Sequence, residues 1–178
     1  MTIDENGNLV EYKNCDSCTL CCKILKIDSL QKPPYEWCKH CTPGTGCNNY
    51  QDRPDDCKNF ACFWLYRREL DTEWKPARSK VVLYWHRDGF LIADFDPAHK
   101  HLIRQPTYER LFKNLCGMLE PECRCITIHC GKAMYVYASS KFFELGNTRY
   151  SHQVEFNFSP FLRDIVDVRL VPISPSSP

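Results

Sequence analysis

The sequence predicts an α+β protein: a cysteine-rich metal-binding module with short helices and loops, followed by a small antiparallel sheet packed with a helix. Three observations carry this reading. Nine of the 13 cysteines fall between Cys15 and Cys62. Beyond Ser79 the chain is written mostly in strand-length apolar runs separated by turn residues. One stretch, from Pro106 to Leu119, instead repeats its apolar residues every three or four positions. There is no internal repeat and no regular alternation of strand and helix, which favours an antiparallel sheet. The expected organisation is a cysteine-cluster module over 1–78, an α+β scaffold region packed on it over 79–172, and a flexible Pro-Ser tail over 173–178.

In chain order, the segment from Lys32 to Pro54 holds prolines, Gly44, Gly46 and an Asn pair, and reads as loop and turn able to wrap a metal. A helix is then expected from Pro54, with Asp55 and Asp56 in its first turn and Arg67 and Arg68 near its end. At helical spacing Cys57, Phe60, Ala61 and Trp64 share one face, which should look back at the cysteine loops. KVVLYWH and FLIADF flank Arg87, Asp88 and Gly89, and Asp-Gly between two apolar runs signals a hairpin. The helix from Pro106 to Leu119 presents Tyr108, Leu111, Phe112, Leu115 and Leu119 to a core. CITIHC and AMYVYAS form a second hairpin through Gly131 and Lys132, and weaker strands are expected at Val154–Phe158 and Ile165–Leu170.

The composition excludes several function classes. A net charge of +1, with basic and acidic residues mixed throughout, gives no electrostatic footprint for nucleic acid. No apolar run approaches the length of a membrane span. The opening MTIDENGNLVEY lacks the basic-then-apolar pattern of a secretory signal, so a cytoplasmic location is expected. In that reducing compartment clustered cysteines point to metal rather than to disulfides.

The spacing supports the same chemistry. Cys15, Cys18 and Cys21 are separated by two residues each, which lets a tight turn present successive sulfurs to one centre. Cys22 follows directly and could serve a second metal, bridge two metals or support the first. Cys38 and Cys41 repeat the two-residue gap, and Cys47, Cys57 and Cys62 add three more thiols. Eight thiols suffice for two closed four-cysteine zinc sites, while a cubane iron-sulfur cluster needs four; the ferredoxin continuation after Cys21 is absent. Thiolates suit zinc, cuprous copper and iron-sulfur clusters alike, so spacing leaves the metal open.

Other residues have plainer readings beside functional ones. Arg53 could offset thiolate charge or be a solvated turn cation, Tyr50 reads as packing, and His40 is an alternative ligand where sulfur is already in excess. Cys116, Cys123, Cys125 and Cys130, with His129, read as structural rather than as a second site. Asp94, Asp96, His99 and His101 read as a turn after a strand, since nothing pairs them with a nucleophile. No phosphate loop, serine-hydrolase elbow or zinc-protease helix is present.

The runs CDSCTLCC and WCKHCTPGTGCNNYQDRPDDCKNFACFWL resemble the CxxCxxCC cysteine-cluster family, a YkgJ-like zinc- or iron-chelating domain. The likeness covers about a third of the chain and includes Gly46 with Cys47, Tyr50, the Arg53-Pro54 pair, and then Cys57, Phe60 and Cys62 in order. It implies an eight-cysteine metal site that maps onto Cys15, Cys18, Cys21, Cys22, Cys38, Cys47, Cys57 and Cys62. Cys41 stands where relatives often carry an apolar residue, and becomes a possible ninth ligand. The expected function is therefore a metal-binding protein holding zinc or an iron-sulfur cluster, with a protein partner of unknown identity. The alternatives are an iron-sulfur-dependent enzyme, for example a protein-modifying one as some relatives are linked to protein methylation, or metal storage and delivery.

Overall fold

The computed structural model describes residues 2–3, 9–10, 13–86, 90–119, 125–149, 152–158 and 165–172. The chain divides into two compact units, Met1–Tyr84 and Trp85–Pro178. The expected turn at Arg87 to Gly89, Cys123 and the tail over 173–178 lie outside the described residues.

Among the described residues the first unit has little regular structure, its helices and strands being short. Strands β1 (Thr2–Ile3) and β2 (Leu9–Val10) pair antiparallel. Helix α1 (Leu20–Ile24) buries Leu20 and Ile24. It ends where Leu25 turns extended, and the buried Lys32 ammonium donates to the carbonyls of Lys23, Leu25 and Pro33, satisfying groups a helix end leaves open. Strands β3 (Cys41–Thr42) and β4 (Gly46–Cys47) form a small ladder across a turn in which Gly44 has φ of 75°, a conformation open to glycine at little cost.

The single helix expected from Pro54 is instead two short ones, α2 (Asp55–Lys58) and α3 (Phe63–Tyr66). Pro54 stands just before the first as an extended N-cap, and Cys62 just before the second with extended φ and ψ of −71° and 147°. The break buries Cys62, Phe63 and Trp64 together, which one continuous helix, with Phe63 a quarter-turn off the Cys57–Trp64 face, does not achieve. Trp64 donates its indole N–H to the Asp71 carbonyl at 2.8 Å, and the ammonium groups of Lys13 and Lys75 stand 5.0 and 5.4 Å from its ring. Helix α4 (Pro76–Ser79) follows, and Lys80, at φ of 59°, turns the chain into β5 (Val81–Trp85).

The second unit carries a sheet in which β6 (Leu91–Phe95), β7 (Cys125–Cys130), β8 (Ala133–Ala138) and β9 (Lys141–Glu144) follow one another. The antiparallel expectation is corrected here: β6 and β7 run parallel, Leu91 opposite Ile126 and Phe95 opposite Cys130. The physical reason is the connection between them, which contains α5 (Pro106–Leu119) and is long enough to carry the chain back to the starting end of the sheet. A sheet with one parallel pair is mixed, and the α+β class stands.

Helix α5 has the expected bounds, and its five expected core residues are all buried. Its Tyr108 and Phe112 rings pack on Phe95 at centroid distances of 5.4 and 6.3 Å, and Phe112 meets Tyr137 at 5.7 Å. Burial of each such ring contributes about 2 kcal/mol. The opposite face of β7 and β8 presents Cys125, Val136 and Ala138 to Val168 and Val154 of the antiparallel pair β10 (His152–Phe158) and β11 (Ile165–Pro172).

Candidate metal centre

The cysteines of the first unit are placed by short backbone hydrogen bonds rather than by long elements. The amide of Cys18 bonds to the Cys15 carbonyl at 2.7 Å, closing the turn that precedes α1. Cys21 and Cys22 lie on α1 itself. The Cys38 amide bonds to the Cys22 carbonyl at 3.1 Å and the Cys41 amide to the Cys38 carbonyl at 3.0 Å, tying the central loop to that helix. Cys47 sits on β4 opposite Cys41, Cys57 lies in α2, and Cys62 precedes α3.

These elements enclose a cavity of about 430 Å³ within the first unit. Cys15, Cys18, Cys21, Cys22, Cys38, Cys47, Cys57 and Cys62 all line it. Cys41 does not. Part of the remaining wall is apolar, with Leu25, Ile27, Leu30, Phe60, Leu65 and Val82, and part is polar or charged, with Asp16, Lys26, His40, Tyr50, Arg53 and Asp56 among its residues. Sequence reasoning gave no warning of the apolar half, because its residues are scattered from Leu25 to Val82 with no shared period.

Five of the first unit's thiols are held toward their protonated form. Burial pushes the Cys15 and Cys57 thiols up, with neighbouring cysteines adding to the effect in both. A hydrogen bond with Cys21 and then burial raise Cys22 strongly. Burial raises Cys62 to about 11, opposed by the backbone amides of Leu65 and Trp64. Cys41 is pushed up to about 12 by burial and by the adjacent Cys22. Without a compensating cation these five thiols keep their protons at neutral pH. Lys32 is a protein cation coupled to one group of thiols: burial lowers its pKa, while Cys38, Cys22, Glu36 and Cys21 pull the other way. A lysine between glutamine and proline carries no sequence signal of this role.

The donor set fits a soft metal. Eight sulfurs around one cavity match the thiolate preference of zinc and iron-sulfur centres, and they could fill two four-ligand shells. Among the described residues no three His, Cys, Asp or Glu side chains converge as a coordination shell. Thiols meet in pairs instead, Cys22 hydrogen-bonding with both Cys21 and Cys41. Thiols that keep their protons gain only weak contacts by converging, and a cation that displaces those protons supplies the attraction.

Arg53 lies over the Tyr50 ring at 3.9 Å and donates to the Tyr50 carbonyl at 3.3 Å, so both readings of that arginine meet at the cavity wall. In the second unit Cys125 and Cys130 are buried in β7 and Cys116 is half-buried on α5. Asp96 caps the following turn, accepting the Ala98 amide at 3.1 Å. Asp94 is fully buried and forms a two-pronged ion pair with Arg149, at 2.7 and 3.3 Å, which the turn reading did not anticipate. No family model, no curated protein and no solved structure matches the chain.

Proposed function

We propose that this chain is a metal-binding protein in which the cysteine module chelates zinc or an iron-sulfur centre. One observation carries the reading: eight cysteines, spread from Cys15 to Cys62 and implied as a set by the resemblance to the CxxCxxCC family, line a single cavity. Isolated structural cysteines pack singly among apolar neighbours, as Cys125 does against Val136 and Ala138, and have no reason to share one space. The metal is bound by thiolates whose protons are released as it binds, and its binding energy adds to the stability of a unit poor in regular structure. Arg53 and Lys32 offset part of the negative charge that the thiolates acquire.

The deciding experiment is elemental analysis of anaerobically purified protein, reporting zinc, iron and sulfide per chain beside an absorption spectrum. Zinc in a colourless sample identifies a zinc chelator, and iron with sulfide and broad visible absorption identifies a cluster. Protein that contains neither, and takes up neither on reconstitution, overturns the reading. The same sample tests the delivery reading, because a stored metal exchanges with a calibrated chelator whereas a structural one resists it.

A further inference from the structure

Leu25, Leu30, Phe60 and Leu65 line the cavity of the first unit, and each is only partly buried. They come from four places in the chain: Leu25 just after α1, Leu30 at the end of the short turn Asp28–Leu30, Phe60 between α2 and α3, and Leu65 within α3. Single apolar residues scattered over a surface need no explanation, but four gathered on one concave wall do. A metal does not supply it. Zinc stands about 2.3 Å from each thiolate sulfur and takes only the space between the sulfurs. The cavity, at about 430 Å³, instead has the size of a site for a small organic molecule.

The charged members of the wall say which class of molecule fits. Asp16 pairs with Lys75 at 3.0 Å, and Lys26 pairs with Asp28 at 2.6 Å. Asp56 accepts the Ser29 hydroxyl at 2.8 Å. The Arg53 guanidinium lies on the Tyr50 ring and bonds to the Tyr50 carbonyl. Each of these four is engaged within the chain, and the thiolates of a filled metal site add negative charge that repels an anion. The wall left to receive a ligand is apolar.

We propose that the apolar side of this cavity binds a small, uncharged, apolar organic molecule beside the metal. The inference deepens the chelating reading and rests on it only for what occupies the sulfur side. Leu30 and Leu65 contribute apolar surface that the ligand removes from water.

The test adds N-phenylnaphthylamine, an uncharged dye that fluoresces in apolar surroundings, to metal-loaded, full-length protein, and reads its dissociation constant beside the metal content of the same sample. A single saturating site is expected, and it should bind the dye about tenfold more tightly than the anion anilinonaphthalene sulfonate. Leu65→Trp, which fills the apolar side, should weaken dye binding about tenfold with metal content unchanged. Leu30→Asn decides the matter if the tryptophan variant fails to fold. Tyr66→Ala, which removes an exposed ring outside the cavity wall, should bind the dye as the parent does. Dye that binds the metal-free form alone, that ignores the wall substitutions, or that depends on Tyr66 overturns the proposal, and so does equal or tighter binding of the sulfonate. A chain that takes up no metal removes the chelating reading, while dye binding to that chain as purified, read on the same variants, still decides the pocket.

Discussion

His129 shows what burial does to a single titrating group. Burial, and then the nearby His86, lower its pKa to about 4, and its Nδ1 is buried without a hydrogen-bond partner among the described residues. The unfolded chain binds this proton below about pH 6.5, whereas the folded chain does so only near pH 4. Between those values the unfolded state holds more protons, so stability falls as pH drops through that window, by on the order of 3 kcal/mol from this group. Denaturant unfolding at pH 7 and pH 4.5 measures the loss, and His129→Gln should remove most of its pH-dependent part.

Asp94 and Arg149 make the opposite case, two charges buried because they are paired. Asp94→Asn leaves the guanidinium without its counter-charge and should cost about 3 kcal/mol, read as a lower midpoint in urea. The paired replacement Asp94→Leu with Arg149→Met should cost less than Asp94→Leu alone, because no charge is then stranded. Such a pair is invisible in sequence, since its members lie 55 positions apart.

At the level of elements, α5 was fully legible. Its apolar residues recur at helical spacing, and a fourteen-residue amphipathic stretch has no comparably good alternative. Leu115 is buried against the sheet side, so Leu115→Ala should cost about 2–5 kcal/mol, while Cys116→Ser, at the half-buried edge, should cost under about 1 kcal/mol. Chemical denaturation of the two variants checks the contrast. The direction of β7 was less legible, although a signal existed. FLIADF and CITIHC are nearly continuous apolar runs, the pattern of central strands covered on both faces, and α5 lies between them in sequence. The break between α2 and α3 had no comparable signal. Helical spacing from Cys57 to Trp64 is genuine, but the burial of Phe63 and the placement of Cys62 decided against it.

Across the whole molecule, the two units differ in what holds them. The second has an aromatic and aliphatic core built around a sheet, with Phe95, Phe112 and Tyr137 in mutual contact. The first has helices of four or five residues and two-residue ladders, none of which is stable alone. On the proposed chelating reading, removal of metal should therefore loosen the first unit selectively. Hydrogen exchange in excess chelator should show faster exchange at the Cys38 and Cys41 amides and little change at Leu111 to Leu115 of α5. Equal loss of protection in both units would show that the metal does not act through the cysteine module.

The sequence by itself determined α5, the main strands and a cluster of nine cysteines in the first unit, because helical period, apolar runs and clustered thiols are local signals. Tertiary structure alone decided that β6 and β7 run parallel, that Asp94 meets Arg149, and that Lys32 caps α1 beside the thiols. It also separated Cys41 from Cys38, although the two share one two-residue gap. Spacing records how far apart side chains are along the chain; the packing of the β3–β4 turn on the start of α1 leaves Cys38 in the cavity wall and Cys41 out of it.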